Sequence, residues 1–184
     1  MCFSGPEGRQ RIAHGLSRGT RDSCKMSPAP QGRKTIAHPF ANLLTHVIFS
    51  TKDREAWITP DLRMNLLPYM GGIVRNLHGK AIESNARPDH FHALLSLPPA
   101  LAVADTLRVL KTNSSLWVHE TRRRAAFAWQ RGYGAFSVSH SHLPEVVKYI
   151  REQDQHHRQR TYQEEFLVFL KRHGIAYDER YIWE

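Results

Sequence analysis

"RPDHFHALLSLPP", residues 87–99, sets two histidines, His90 and His92, two positions apart and runs straight on into an apolar stretch. Read with a period of two, residues 90–97 form a strand on which His90 and His92 share one face while Phe91 and Ala93 point to the other. A strand bound for the core that carries a pair of imidazoles needs polar partners or a cation on that face.

Working outward, residues 43–50, "LLTHVIFS", are short, apolar and partly β-branched and read as a first strand. Residues 80–86, "KAIESNA", give a weaker second strand, 90–97 the third, and 132–139, "GYGAFSVS", a fourth. A helix opens at Thr59 and Pro60 and repeats Leu62, Leu66, Met70, Ile73 and Leu77 at helical steps. Pro68 and Gly71-Gly72 predict a kink or break in it, and Gly79 its stop. A second helix aligns Val103, Leu107, Leu110, Ser114 and Trp117 on one face and ends near "HETRRR". The order strand, helix, strand, strand, helix, strand is that of an α+β fold. It is the split βαβ or ferredoxin-like sandwich also used by RNA-recognition modules, an antiparallel sheet with helices on one face. C-terminal helices are added to this plan. One starts near Pro144 and runs through "PEVVKYIREQDQHHR"; the last opens with the T-x-x-E spacing of Thr161 and Glu164, buries Phe166, Leu167 and Leu170, and stops at Gly174.

The 184 residues carry a formal charge of +9, as expected of a partner for a polyanion such as nucleic acid. Residues 1–40 hold seven Lys/Arg against Glu7 and Asp22, a net of +5, so the remainder carries only +4. Rich in Gly, Pro and Ser, this segment is expected to be a disordered basic tail ahead of a folded domain at 41–184, with Met26 as an alternative start. No signal h-region or run of 18 apolar residues points to secretion or a membrane, and a cytoplasmic location is expected. Both cysteines, Cys2 and Cys24, fall in the tail. Residues 41–184 therefore contain no disulfide or thiolate ligand, and a metal there is held by imidazole, carboxylate or amide groups.

Two imidazoles on one strand face are either a bidentate site for a divalent cation or half-buried groups bonded to backbone and solvent. A catalytic cation needs a third ligand and a nearby nucleophile. Tyr149 and Gln153, four residues apart, would stack on one face of the helix after the fourth strand, with the Gln153 carbonyl oxygen as ligand. Tyr149 is otherwise an aromatic at a helix–sheet seam beside Val146 and Ile150. His156 and His157 follow on the same helix, near the site or at a solvated end.

"DHFHALL", "LKTNSSLWVHE", "FAWQRGYGAFSVS" and "YIREQDQHH", with "HVIFSTKDR" nearer the start, resemble the single-tyrosine HUH transposases of the insertion sequence 200/605 type, including their repeat-associated relatives. The resemblance spans residues 43–183, and the five blocks keep the family's order. It implies that His90, Phe91 and His92 are the HUH motif, Tyr149 the nucleophile and Gln153 the third ligand of Mg²⁺ or Mn²⁺. The implied reaction is cleavage and rejoining of single-stranded DNA at hairpin-containing element ends through a 5′-phosphotyrosine. The implied assembly is a homodimer whose tyrosine helix can serve the partner's site.

The covalent link preserves the phosphodiester energy, so the chemistry does not need the G-x-x-x-x-G-K-[ST] loop that the sequence lacks. Lys52, Arg54, Lys111 and the run Arg122, Arg123, Arg124 are candidates to grip phosphates, with Trp117, Trp129 and Tyr133 as stacking platforms. The same basic residues also read as solvated faces. Two other functions fit the sequence: a non-catalytic or domesticated binder of structured single-stranded nucleic acid, and a hydrolytic metal nuclease in which Tyr149 is structural.

Overall fold

A computed structural model describes residues 40–156, 161–180 and 182–183. The expected basic tail, apart from Phe40, its alternative start Met26, and His157 lie outside the described residues. The expected strands form at Leu43–Ser50 (β1), Lys80–Ala86 (β2), His90–Leu97 (β3) and Gly134–Val138 (β4). They make one antiparallel sheet in the order β2-β3-β1-β4, with α1 (Pro60–Asn76) and α2 (Val103–Arg122) as the two crossovers. This is the α+β, ferredoxin-like plan.

Period-two alternation divides β3 between two layers. Phe91, Ala93, Leu95 and Leu97 face α1 and α2, where they join Val47, Phe49, Leu66, Leu107 and Leu110 in the main core. Leu94 belongs to the opposite face and packs with Leu44 and Ile150 under α3 (Leu143–Arg151). Farther along that face, Ile48 and Phe136 pack on Tyr162, Phe166 and Leu170 of α5 (Tyr162–Arg172). The added C-terminal helices thus cover the second face of the sheet, which explains why β3 is almost continuously apolar.

Local signals fix most helix ends. Thr59 Oγ1 accepts from the Leu62 N–H at 3.3 Å and Pro60 occupies the first turn of α1. The expected break does not occur: α1 continues for 17 residues through Pro68 and the glycine pair. Pro68 lies on the exposed side, so the buried stripe from Leu62 to Val74 stays intact and tertiary packing outweighs propensity. The helix stops at Asn76, and His78, with φ 59°, takes the left-handed position rather than Gly79.

The helix expected from Pro144 through the paired histidines is two helices, α3 and a short α4 (Gln153–His156), with Glu152 between them. A residue remote in sequence sets the division. Asn85 Nδ2 of β2, buried, donates to the carbonyls of Ile150 at 2.9 Å and Arg151 at 3.3 Å, satisfying the end of α3. Asp154 then ties α4 back through ion pairs with Arg63 and Arg87. The last helix keeps its expected signals: a full Thr161/Glu164 capping box, and Gly174 at φ 63° with the Ile175 N–H bonded to Leu170 O at 3.0 Å.

Gly134 permits α5 to approach the edge strand. A Cβ added there would lie 2.7 Å from a ring carbon of Phe166 and 2.8 Å from one of Phe136. Gly134→Ala is expected to destabilise the protein by roughly 1–3 kcal/mol, measured by denaturant unfolding against wild type. An unchanged midpoint and slope would show that α5 does not need this contact.

Candidate active site

The pleat turns His46, His90 and His92 to the face covered by α3 and α5, and all three are buried, at 2%, 2% and 0% exposed. Buried imidazoles call for partners. His90 Nδ1 is 2.6 Å from Asp89 Oδ1, and His92 Nδ1 is 3.2 Å from His46 Nε2. On its other side, His92 Nε2 lies 3.8 Å from Glu165 Oε2 of α5. One ligand atom from each of His90, His92 and Glu165 lies within 4.8 Å of the other two. Gln153 Nε2 donates to Glu165 Oε1 at 3.2 Å, while Gln153 Oε1, fully buried, has no hydrogen-bond partner among the described residues. Two imidazoles, a carboxyl and an unpartnered amide oxygen are a donor set that suits a divalent cation.

Tyr149 closes one side of this group. Its ring centroid is 6.3 Å from that of His92 and 6.1 Å from that of His46, edge-on to both. The phenol forms part of the wall of a cleft of about 470 Å³ between β4, α3 and α5, floored by His46, Phe136 and Phe169, with Arg172 and His173 also lining it. A second tyrosine, Tyr162, tilts over His90 at 4.8 Å but is buried, and burial, with Asp89 nearby, pushes its phenol above the usual tyrosine range. Of these two tyrosines, Tyr149 is the one that lines the cleft.

Low dielectric disfavours the charged forms of two groups here. Burial pushes the Glu165 carboxyl up to about 8. Burial, and then His173, push His46 down to about 3.

Of the residues singled out in the sequence, His90, His92, Gln153 and Tyr149 converge here, although Gln153 begins α4 rather than continuing the helix of Tyr149. Of the basic candidates, Arg54 lies close enough to Tyr162 to oppose the upward shift that burial gives its phenol. Lys52, Arg54 and Arg123 are exposed. Arg122 pairs with Asp61 at 2.8 Å, Arg124 donates to Trp57 O at 3.0 Å, and Lys111 Nζ donates to the carbonyls of Arg131 and Gly132 at 2.9 and 3.0 Å. Burial lowers the Lys111 ammonium to about 8. Trp117 stacks on Tyr69 at 4.8 Å and Trp129 is a core residue that donates to Ser114 Oγ, so of the three platforms Tyr133 alone is exposed.

Sequence reading missed His46, Asp89 and Glu165. Glu165 had a signal: it falls on the stripe of Tyr162, Phe166 and Leu170, where a carboxylate would be buried.

Residues 40–153 match the family model described as "Transposase IS200 like". The chain belongs to this family. The transposases for insertion sequence element IS200 of Salmonella typhimurium and Salmonella typhi are each 28% identical to it over 130 residues, covering 65% of this chain and 82% of the relative. A crystal structure of a candidate transposase from Deinococcus radiodurans R1 superposes with a TM-score of 0.51 at 21% identity, covering 62% of this chain and 93% of that one, and shares the fold. A REP-associated tyrosine transposase bound to a REP hairpin gives a TM-score of 0.49 at 15% identity, covering 63% of this chain and 68% of its own. Among the described residues of this transposase, no helix is long and apolar enough to cross a membrane.

The cluster makes stability depend on pH. Between the ordinary glutamate value of 4.5 and about 8, folded Glu165 keeps a proton that the unfolded chain releases, so its contribution to stability falls as pH rises. The slope is at most about 1.4 kcal/mol per pH unit. His46 acts oppositely between about 3 and 6.5. Chelator-treated wild type is therefore expected to lose stability from pH 6.5 to 8, and Glu165→Gln to show a flatter profile in denaturant titrations. Equal slopes in the two proteins would contradict the assignment.

Proposed function

We propose that this transposase cleaves and rejoins single-stranded DNA through a 5′-phosphotyrosine on Tyr149, with Mg²⁺ or Mn²⁺ held by His90, His92, Gln153 and Glu165. The observation that carries the reading is the edge-on approach of the Tyr149 ring to His92, 6.3 Å between centroids, beside a buried donor set. Bound there, the cation would polarise a non-bridging oxygen of the scissile phosphate. Tyr149 Oη attacks phosphorus and loses its proton, the bond from phosphorus to the 3′ oxygen breaks, and that oxygen leaves with the electron pair and is protonated to a free 3′-hydroxyl. Attack by another 3′-hydroxyl reverses the step and releases Tyr149, so rejoining needs no nucleoside triphosphate.

The strand is proposed to reach Tyr149 through the cleft, with an unpaired base against Phe136 and Phe169 and Arg172 and His173 near the phosphates. Lys52, Arg54 and Arg123 are proposed as direct phosphate contacts because they are exposed. Lys111, Arg122 and Arg124, already engaged, add to the field that attracts the strand. Phenol and imidazoles approach one another within one chain, which favours a cis site. The substrate is proposed to be a hairpin-flanked element end and the working form a homodimer.

A labelled single strand carrying a hairpin, incubated with the protein and Mn²⁺, is expected to give a covalent adduct on a denaturing gel. Tyr149→Phe should lower adduct by at least about 10³-fold, and His92→Ala or a chelator should abolish it, while Tyr162→Phe retains it. An adduct that persists in Tyr149→Phe would overturn the nucleophile. Salt-sensitive binding without cleavage would point to a binding module, and turnover without a trapped adduct to a hydrolytic nuclease.

A further inference from the structure

We propose that His46 is a positioning residue: by accepting the Nδ1–H of His92 on its own Nε2, it holds His92 in the tautomer whose Nε2 lone pair faces Glu165. The inference rests on the cation reading above and adds a residue that lies outside the H-x-H motif.

A neutral imidazole carries its proton on one nitrogen only, and a ligating nitrogen must be the other. The 3.2 Å contact between His46 Nε2 and His92 Nδ1 is buried at both ends, so one ring must donate and the other accept. Were His46 the donor, the proton of His92 would sit on Nε2 and block the ligand position. The cation reading therefore requires His92 as the donor. Were His92 the donor, its Nε2 lone pair would point into the cluster. His90 repeats the pattern, with its Nδ1 anchored on Asp89 Oδ1 at 2.6 Å. Each motif imidazole is thus held by one nitrogen from outside, the arrangement by which a second layer of contacts orients metal ligands.

His46 is itself fixed. Its ring meets Phe169 edge-on at 5.1 Å and Tyr149 edge-on at 6.1 Å, and lies 6.5 Å from Phe136. One ring therefore sets the tautomer of His92 and abuts the phenol, linking the cation site to the nucleophile.

The test uses the full chain. In metal-free wild type, ¹⁵N-histidine NMR is expected to show His92 protonated at Nδ1 and bare at Nε2. By electron paramagnetic resonance of free Mn²⁺, His46→Leu is expected to weaken binding about 10- to 100-fold. His46→Gln, whose amide oxygen can accept in place of Nε2, should stay close to wild type. Saturating Mn²⁺ should restore adduct formation to His46→Leu, which a merely structural defect would not allow. His92 protonated at Nε2 in wild type, or Leu and Gln variants with equal Mn²⁺ affinity, would overturn the role of His46. If His46→Leu does not fold, the wild-type spectrum and the Gln variant still decide. Wild type that binds no Mn²⁺ would remove the cation site itself, whereas wild type and Leu variant binding equally would remove only this role.

Discussion

The structure depends on β3 being buried on both sides. A strand between two helical layers must present apolar side chains to each, and β3 does so with Phe91, Ala93, Leu95 and Leu97 on one face and Leu94 on the other. His90, His92 and Ser96 occupy the remaining positions of the second face, and both histidines are buried, so the fold places two imidazoles where water cannot satisfy them. Burial of a polar group without a partner costs about 1–3 kcal/mol. The surroundings supply partners: Asp89 for His90, His46 for His92, and a carboxyl from α5 facing both.

That demand explains the C-terminal helices. α3 brings Tyr149 to one flank of the imidazoles and α5 brings Glu165 and Tyr162 to the other. The position of each helix is set by contacts unrelated to chemistry: Asn85 ends α3, the capping box starts α5, and Gly134 lets Phe166 settle against the edge strand. Site geometry is thus a consequence of helix termination and of one close approach. The two tyrosines are separated by access alone, since Tyr162 is packed between His90 and Phe166 while Tyr149 opens onto the cleft.

What was legible in the sequence follows the range of the interaction that determined it. The bounds of β1, β2 and β3 could be read from period and flanking residues, and the capping signals at Thr59 and Thr161 acted as expected. The division of α3 from α4 could not, because the side chain that ends α3 comes from β2, 65 residues earlier. The unbroken α1 was misjudged for a related reason: local propensity argued for a break that a buried stripe overrides. The H-x-H pair is legible from the strand's period of two, and Tyr149 from its four-residue spacing to Gln153. His46 and Glu165 are not, since a lone histidine in an apolar strand and an acid beside a capping box both have ordinary local explanations. Only the packing of β1 against β3, and of α5 against the sheet, brings them to the cluster.

The directions in which burial moves these groups bear on what the cluster is suited to receive. Burial holds the proton on Glu165 up to about 8 and disfavours the charged form of His46, as low dielectric requires. Beside them, Gln153 carries an amide oxygen without a hydrogen-bond partner among the described residues. On the proposed reading, a divalent cation would favour ionised Glu165 and would take up that oxygen together with His90 and His92. Loading would then release a proton from Glu165 at neutral pH and draw α5, α4 and β3 together at one point.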